Sequence, residues 1–387
     1  MNGTATADRR PRVLHLLKWL PRGGIETWLT HVFARSASGP FRHEVLLMQD
    51  EIGPYEHKVR AAGVPIHTLP MTSRLSWFAQ LFQFLKREGP FTIFHAHVDS
   101  IVSGPALMIA AAAGVPVRLI HNHAARSMGT DYKAWRYKIR EKLGNLIALS
   151  SATQAIGISE MAMQHLAGAR WRDKPGRTIL LYGFDFTPFH DAAERASILR
   201  QTLMIPPEAV VIGHVGRFDP VKNHRFVLEC FAAYLRHNPR AVLVLVGRGP
   251  LQEECERQAG MLGIMDAVRF AGGTDDVPAF MALFQLFLFP SFSEGLGIVL
   301  LEAQAAGTPI VTSQNMPAEA FIVPEAVTLL ALEDGPAKWA AALHEVMQAK
   351  PRRTGEWLER VEQSQFSIER CVQELTRFYQ RQVARCR

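Results

Sequence analysis

The sequence predicts an α/β protein made of two doubly wound, parallel-sheet domains. Three observations predict this class: the length of 387 residues, the alternation of apolar strand-like runs with helical segments, and the restart of that alternation near residue 210. A chain of this length divides into two domains of about 150–200 residues. Alternating strands and helices are typical of a parallel sheet with helices on both faces. We expect a first domain over residues 1–190, a second over 191–365 and a C-terminal helix over 366–387.

Short apolar runs predict the strands of the first domain. The first run, 12–19, leads through Gly23 and Gly24 into a helix over 26–33. The later runs are 44–48, 64–69, 91–95, 118–122 and 155–158. Segments with helical periodicity, such as 101–113, separate them.

A second series of apolar runs predicts the sheet of the second domain. Its strands are expected at 210–215, 241–246, 267–270, 286–289 and 309–312, with helical segments between them. The final helix carries Leu375, Phe378 and Tyr379 on one side, and we expect it to pack back on the first domain.

Composition describes a globular protein, since 48% of the residues are hydrophobic and 20% are charged. No apolar stretch approaches the ~20 residues of a membrane helix. Residues 1–12 are polar and lead into no apolar signal core, so export is not expected. The four cysteines lack metal-ligand spacing, which suits a reducing cytoplasm. We expect a cytoplasmic protein, with the inner face of the cell membrane as a candidate peripheral position.

The two halves of the chain differ in charge. Residues 1–190 carry 23 Lys and Arg against 13 Asp and Glu, and the remainder carries 20 against 23. A basic first half indicates an anionic partner such as nucleic acid, anionic lipid or a phosphorylated acceptor. The helix predicted over 131–149 concentrates this charge in Lys133, Arg136, Lys138, Arg140 and Lys142.

That basic helix has two interpretations. It is suited to an anionic membrane surface, because cationic and aromatic side chains alternate along it. Alternatively, the charged face is solvated and Trp135, Ile139, Leu143 and Leu146 form a core stripe.

The run 291–303 predicts a site for a sugar nucleotide. Glu294 lies in the loop after the strand over 286–289, and Glu302 lies in the helix that follows. Between them, the N–H groups of Gly295, Leu296, Gly297 and Ile298 form a helix N-terminus suited to phosphate oxygens. Two carboxylates for hydroxyl groups flank this phosphate cradle.

Other strand ends of the second domain add candidate donor contacts. Arg217 and Lys222 follow the strand over 210–215, where they would meet a diphosphate, although an ordinary basic loop has the same composition. Gly272 ends another strand, where its backbone would contact a nucleobase. The Asp-x-Asp pattern that holds a divalent ion is absent, so we expect no metal and no cofactor.

The first domain offers a second set of strand-end residues. Gly24 opens the first helix, where glycine permits close ligand approach or simply makes a tight turn. His95 and His97, and again His121 and His123, alternate at two strand ends, so each pair shares a face. We expect His97 to contact ligand. Metal ligation by these histidines is only weakly indicated, because no carboxylate or cysteine lies at ligand spacing.

Together these motifs resemble the retaining, nucleotide-sugar-dependent glycosyltransferases of family four, in their bacterial exopolysaccharide and capsule branch. The resemblance covers nearly the whole chain and includes the opening 12–15 with 22–27, the runs 215–218 and 222–224, and the Glu294–Glu302 pattern. Residues 307–309 and 317–319 fit as well. It departs at Tyr182 and Phe184, where the family often has Asn and Ile, and at Phe284-Gln285, where it has Ala-Asp.

The resemblance implies two Rossmann-like domains facing a cleft, known as the GT-B fold. It implies that Glu302 holds the ribose hydroxyls, Glu294 contacts the transferred sugar, and Arg217 and Lys222 bind the diphosphate. Further implied contacts are Gly24 with the phosphates and His97 near the reacting carbon, while loops around His123 and Arg126 serve the acceptor. The donor is expected to be a UDP-sugar and the acceptor a lipid-linked or polysaccharide precursor, and no nucleic-acid partner is expected.

Two other functions fit part of the pattern. A nucleotide-sugar epimerase shares the fold, and a non-catalytic module would bind a sugar nucleotide or anionic lipid. The arrangement of Arg217, Lys222, Glu294 and Glu302 favours sugar transfer over both.

Overall fold

The computed structural model describes residues 8–124, 134–349 and 354–386, and these form two compact units. The first unit contains 8–124, 134–184 and 368–386. The second contains 185–349 and 354–367. Each unit is an α/β structure with one parallel sheet, as predicted.

The sheet of the first unit has seven parallel strands in the described residues, in the order β3-β2-β1-β4-β5-β6-β7. Its strands are β1 (Arg12–Leu17), β2 (Arg42–Leu47), β3 (Ile66–Thr68), β4 (Ile93–Ala96), β5 (Val117–Asn122), β6 (Gln154–Gly157) and β7 (Arg177–Ile179). Its helices are α1 (Gly24–Ser36), α2 (Glu56–Ala61), α3 (Arg74–Glu88), α4 (Ser100–Ala112), α5 (Ala134–Ser151) and α6 (Glu160–Ala167).

Within the described part of the second unit, the sheet has six parallel strands in the order β10-β9-β8-β11-β12-β13. They are β8 (Val211–Val215), β9 (Val242–Val246), β10 (Val268–Gly272), β11 (Leu286–Phe289), β12 (Ile310–Ser313) and β13 (Val327–Leu330). The helices are α7 (Ala192–Thr202), α8 (His224–Leu235), α9 (Gln252–Met261), α10 (Val277–Leu283), α11 (Ile298–Ala305), α12 (Gly335–Ala349) and α13 (Thr354–Glu362). A last helix, α14 (Ile368–Arg385), belongs to the first unit.

Two strands were missed by the sequence prediction, β7 and β13. Each is the outermost strand of its sheet, and both are half-exposed rather than buried. Arg177–Ile179 is too short and polar to form an apolar run. Edge strands need little hydrophobic surface, so the pattern that reveals central strands is weak there.

The two faces of the first sheet differ in chemistry. One face packs on α3 and α4 through apolar side chains, among them Leu14, Phe94 and Ile120. The opposite face carries His15, which lies in register with His95 on the neighbouring strand. This second face is covered by α1 and α14, where Trp28 and Tyr379 are fully buried.

Helix α14 is held to the first unit by its apolar side. Leu375, Phe378 and Tyr379 are buried, as their helical spacing predicts for a packed face. Cys371 accepts a hydrogen bond from the indole N–H of Trp28 at 3.2 Å. The helix therefore contributes directly to the core around α1.

In each sheet the strand order reverses once near the middle. The reversal lies between β1 and β4 in the first unit and between β8 and β11 in the second. Doubly wound sheets bind ligands beyond the carboxyl ends of strands at such a switch point. A ligand-binding site is therefore expected in the loops after these four strands. Within the part of the chain described, no helix is both long and apolar enough to cross a membrane.

Candidate functional site

The loop after β8 brings Lys222 to the switch point of the second unit. Asp219 caps a short 3₁₀ helix, Pro220–Lys222, by accepting a hydrogen bond from the Lys222 backbone N–H at 3.3 Å. Asn223 adopts a left-handed conformation (φ 57°, ψ 42°), and its side-chain amide donates to the Pro290 carbonyl at 3.2 Å. The start of α8 is thereby tied to the end of β11.

The loop after β11 is fixed against the same segment. The Ser291 hydroxyl and the Phe292 N–H both donate to the Val221 carbonyl at 2.9 Å. The Ser313 hydroxyl donates to the Ser291 carbonyl at 2.6 Å, which adds β12 to the arrangement. These bonds hold two strand-end loops in one geometry.

Lys222 and Glu294 form an ion pair at this point. The Lys222 Nζ lies 2.7 Å from Glu294 Oε1, and the side chains are 19% and 12% exposed. The Ser291 Oγ lies 2.5 Å from the same carboxylate oxygen, so this oxygen and the Val221 carbonyl share the single hydroxyl proton of Ser291. Lys222 Nζ also lies 5.0 Å from the centre of the Phe289 ring. Two residues predicted for different parts of a donor are thus direct neighbours.

Two glycines, Gly216 and Gly247, lie beneath Lys222. A Cβ on Gly216 would lie 3.2 Å from both Cγ and Cδ of Lys222. Gly247 has φ 146°, and a Cβ there would lie 2.0 Å from the Gly216 carbonyl oxygen. The backbones after β8 and β9 therefore pack too closely for a side chain at Gly247, while a side chain at Gly216 would require Lys222 to shift slightly.

Helix α11 begins beside this ion pair. Gly297 is its N-terminal cap in a left-handed conformation (φ 75°, ψ 56°), and Ile298 is its first residue. The first-turn N–H groups of a helix have no intrahelical acceptor and attract anions. The predicted cradle Gly295–Ile298 thus includes a true helix N-terminus next to the Lys222–Glu294 pair.

Glu302 is the fifth residue of α11 and is partly exposed to solvent. The surrounding protein nonetheless desolvates its carboxyl group and raises its pKa to about 7. The group can therefore gain or lose a proton near neutral pH.

Arg217 and Gly272 occupy separate positions. Arg217 is exposed in the loop after β8. The Gly272 carbonyl accepts a hydrogen bond from the Gly247 N–H at 2.8 Å. A Cβ on Gly272 would lie 3.8 Å from the guanidinium of Arg248, so this exposed arginine, which the sequence analysis did not select, lies beside it. Ser293 was also not predicted as a site residue, and its buried hydroxyl has no hydrogen-bond partner among the described residues.

The switch point of the first unit is lined by an imidazole face, which we define as His15, His43, His95, His97, His121 and His123. His15 Nε2 lies 2.9 Å from His43 Nδ1, and His15 Nδ1 lies 3.0 Å from His97 Nε2. His97 Nδ1 lies 3.0 Å from His123 Nε2. The predicted pairs therefore belong to one larger network. His15 and His43 were missed because a single histidine within an apolar strand carries no pattern.

Burial keeps this face neutral. Desolvation lowers the pKa of His97 well below its usual range, and the neighbouring His123 adds to the effect. Burial also lowers the pKa of His123 to about 3 and that of His43 to about 4. Neutral imidazoles have a lone pair available for a proton or a metal ion.

Gly24 is the first residue of α1, and Gly23 caps the helix. A Cβ on Gly23 would lie 2.5 Å from Glu26 Oε2, so the buried carboxyl of Glu26 folds back onto the glycine turn. Burial raises the pKa of Glu26 to about 7. The turn that was predicted to receive phosphate therefore already has an acidic neighbour.

The core-stripe interpretation of helix α5 is wrong. Trp135, Ile139, Leu143 and Leu146 are 53%, 55%, 55% and 65% exposed. The helix instead packs on α4 through its small residues, because a Cβ on Gly144 would lie 2.8 Å from the backbone nitrogen of Ile101. Arg126 and Lys133 lie outside the described residues.

Both units match models of known families. Residues 9–180 match the model described as glycosyl transferase 4-like domain. Residues 197–356 match the model described as glycosyl transferases group 1. The two matches cover most of each unit.

Curated relatives extend the match along the chain. The Bacillus subtilis protein EpsF, named as a glycosyltransferase, is 30% identical over 346 residues, which are 88% of this chain and 89% of EpsF. An Escherichia coli enzyme named UDP-Gal:α-D-GlcNAc-diphosphoundecaprenol α-1,3-galactosyltransferase is 26% identical over 70% of this chain and 71% of its own.

Solved structures share the fold. Anabaena HepE in complex with UDP-glucose superposes with a TM-score of 0.78 over 96% of this chain and 99% of its own, at 19% identity. WaaG, a glycosyltransferase involved in lipopolysaccharide biosynthesis, gives a TM-score of 0.70 over 95% and 99% of the two chains, at 20% identity. At such identities the likeness concerns the fold alone.

Proposed function

This chain belongs to the group 1 glycosyltransferases and has the GT-B class of fold, and we propose that it transfers a sugar with retention from a UDP-sugar to a lipid-linked or polysaccharide precursor. The observation that carries the proposal is the Lys222–Glu294 ion pair beside the N-terminus of α11. A cation, a helix N-terminus and a carboxylate together match a diphosphate joined to a sugar.

Each donor contact has a proposed role. Lys222, Arg217 and the first-turn N–H groups of α11 bind the diphosphate, and Glu294 accepts hydrogen bonds from sugar hydroxyls. Glu302 does the same for the ribose hydroxyls. A UDP donor is supported by the name of the Escherichia coli relative and by the UDP-glucose complex of HepE.

The proposed reaction needs no protein nucleophile. The bond between the anomeric carbon and the diphosphate oxygen breaks, and the acceptor oxygen bonds to the same face of that carbon. The departing phosphate takes the acceptor proton. Lys222 and Arg217 stabilise the charge that develops on the diphosphate, so the diphosphate requires no divalent metal ion.

The acceptor is proposed to be a membrane-borne precursor. The Escherichia coli relative acts, by its name, on a diphosphoundecaprenol-linked sugar. On α5, Trp135, Ile139, Leu143 and Leu146 recur every three or four residues and are all exposed, so they form one solvent-facing stripe. Arg136, Lys138, Arg140 and Lys142 flank the stripe, and an anionic membrane surface suits such a helix.

A turnover assay tests the function. With a UDP-sugar and an undecaprenyl-diphosphate-linked acceptor, we expect UDP release that depends on the acceptor. Glu294→Gln should lower turnover at least about 100-fold while changing donor affinity less, because its contacts strengthen at the transition state. Glu253→Gln, on an exposed position of α9, is the matched control.

Two outcomes would contradict the proposal. An isomeric nucleotide sugar formed from the donor alone would indicate an epimerase. Donor binding without UDP release across a panel of acceptors would indicate a binding module.

A further inference from the structure

We propose that the first unit binds one borderline-soft transition-metal ion, of the Zn²⁺ or Co²⁺ type, through His97, His121 and His123. One ring nitrogen from each residue lies within 4.8 Å of the other two. Imidazole nitrogens are ligands that zinc and its neighbours prefer, and three histidines with an open fourth position form an established coordination type. The proposal does not rest on the proposed sugar transfer.

The spacing of one ligand pair, His97 and His123, suits a metal after a small adjustment. His97 Nδ1 and His123 Nε2 are 3.0 Å apart. Zinc–nitrogen bonds of about 2.0–2.1 Å in a tetrahedral site separate ligand atoms by about 3.3 Å. The two rings need to part by only a few tenths of an ångström.

His121 supplies independent evidence. It is 1% exposed, yet neither ring nitrogen has a hydrogen-bond partner among the described residues. Its ring centre lies 4.2 Å from that of His123 and 5.6 Å from that of His97. Buried polar atoms in folded proteins are nearly always satisfied, and a metal ion that accepts the lone pair of one His121 nitrogen would satisfy one of the two.

The surrounding groups hold the rings in position. His97 Nε2 meets His15 Nδ1 at 3.0 Å, and the Tyr182 hydroxyl hydrogen-bonds His123 Nδ1. Ligating histidines usually use their second nitrogen in this way. His123 is only half-buried, which gives an ion a way in.

A second triplet, His15, His95 and His97, is also close enough to chelate. It lies deeper, with His15 and His95 fully buried, and His95 Nδ1 already bonds the Tyr379 hydroxyl at 2.8 Å. We therefore assign the ion to the triplet that contains His123, and the test separates the two.

Cobalt titration of tag-free, chelator-stripped full-length protein tests the assignment. We expect one Co²⁺ per chain, the visible absorption of a four-coordinate site, and its loss on adding one equivalent of Zn²⁺. His121→Gln and His123→Gln should abolish the absorption. His15→Gln should weaken Co²⁺ binding about 10–100-fold without changing the coordination, and His95→Gln should leave it unchanged.

Controls make each outcome decisive. Circular dichroism verifies that each variant is folded, and His123→Gln, at the half-buried position, serves if His121→Gln does not fold. His344→Gln, on an exposed part of α12, should bind like the unaltered protein. Folded protein without stoichiometric Co²⁺ absorption would overturn the proposal, as would absorption that depends on His95 but not on His121.

Discussion

At the scale of single residues, the Lys222–Glu294 pair is the central feature of the proposed donor site. Each residue was predicted from its own strand end, and the structure joins them through a 2.7 Å contact with Ser291 as a third partner. Without a donor, each charge satisfies the other. In the proposed function, a diphosphate would bind Lys222 in competition with Glu294, and this competition would couple donor binding to the position of the carboxylate.

We expect this pair to show strong coupling in a double-mutant cycle. Lys222→Met and Glu294→Gln should each lower the free energy of unfolding by roughly 1–3 kcal/mol, because each leaves a partly buried charge unpaired. The double variant should lose less than the sum. Urea unfolding of the unaltered protein, the two single variants and the double variant gives the four free energies of unfolding.

The exposed pair Lys338–Asp334 provides the control for that cycle, since its lysine is 61% exposed. Its coupling should be only about 0.3–0.5 kcal/mol. Equal coupling in the two cycles would show that the Lys222–Glu294 contact is an ordinary surface pair.

Glu302 should lower the stability of the folded protein at high pH and raise its affinity for the donor. Its raised pKa means that the folded state holds the proton more tightly than the unfolded state, so this residue lowers stability as pH rises from about 4.5 to 7. Glu302→Gln should therefore raise Tm at pH 8 and have little effect on Tm near pH 4.5. The same variant should weaken UDP binding at pH 8 by roughly 1–3 kcal/mol.

Thermal unfolding at both pH values and titration calorimetry with UDP give the two quantities. An equal gain in Tm at both pH values would show that ionisation of Glu302 is not responsible. Unchanged UDP affinity would remove the ribose contact from the proposal.

At the scale of elements, α4 and α5 approach each other through glycine. A Cβ on Gly144 would lie 2.8–2.9 Å from backbone atoms of Ser100 and Ile101, and these cannot move like a side chain. Gly144→Ala should lower the free energy of unfolding by about 1–3 kcal/mol, because the two helices must separate. At Gly260 an added Cβ would meet no atom within 4 Å apart from its chain neighbours and the backbone of its own helix. Gly260→Ala should therefore be neutral or stabilising by up to about 1 kcal/mol.

Urea unfolding of the two glycine variants compares the same chemical change in two settings. If Gly144→Ala were as stable as Gly260→Ala, the position of α5 would not depend on its close packing with α4. The packing would then not fix the direction in which the exposed stripe of α5 faces.

The elements show where sequence patterns succeed. Central strands such as Leu286–Phe289 were predicted to the residue, because both faces are buried and the run is continuously apolar. The edge strand Val327–Leu330 was not found. The stripe on α5 was placed in the core in one interpretation because i, i+4 spacing identifies a shared face without saying what covers it.

The candidate site was predictable in composition but not in contacts. Glycine and charge at strand ends marked Lys222, Glu294 and Gly297, since parallel sheets gather such residues at one edge. Sequence spacing gives no distances, so neither the ion pair nor the contact between His15 and His97 could be read from it.

At the scale of the whole molecule, each unit by itself places its polar residues at the switch point of its own sheet. In the second unit these are charged side chains beside a helix N-terminus, and in the first they are buried, neutral imidazoles. The excess positive charge of the first half therefore does not lie in its switch-point core. Part of it lies on the exposed surface of α5, where Arg136, Lys138, Arg140 and Lys142 are all exposed.

The last prediction concerns this surface. Arg136→Gln with Arg140→Gln should weaken binding to phosphatidylglycerol vesicles about 30-fold at low salt, since each lost charge costs about 1 kcal/mol near an anionic surface. The loss should shrink as salt rises. Leu143→Ser with Leu146→Ser should weaken binding at every salt concentration, because it removes the apolar contact. Arg236→Gln with Arg240→Gln, exposed in the second unit, changes the charge equally and should have no effect. Equal losses in all three double variants, measured by vesicle sedimentation, would show that binding follows net charge and not α5.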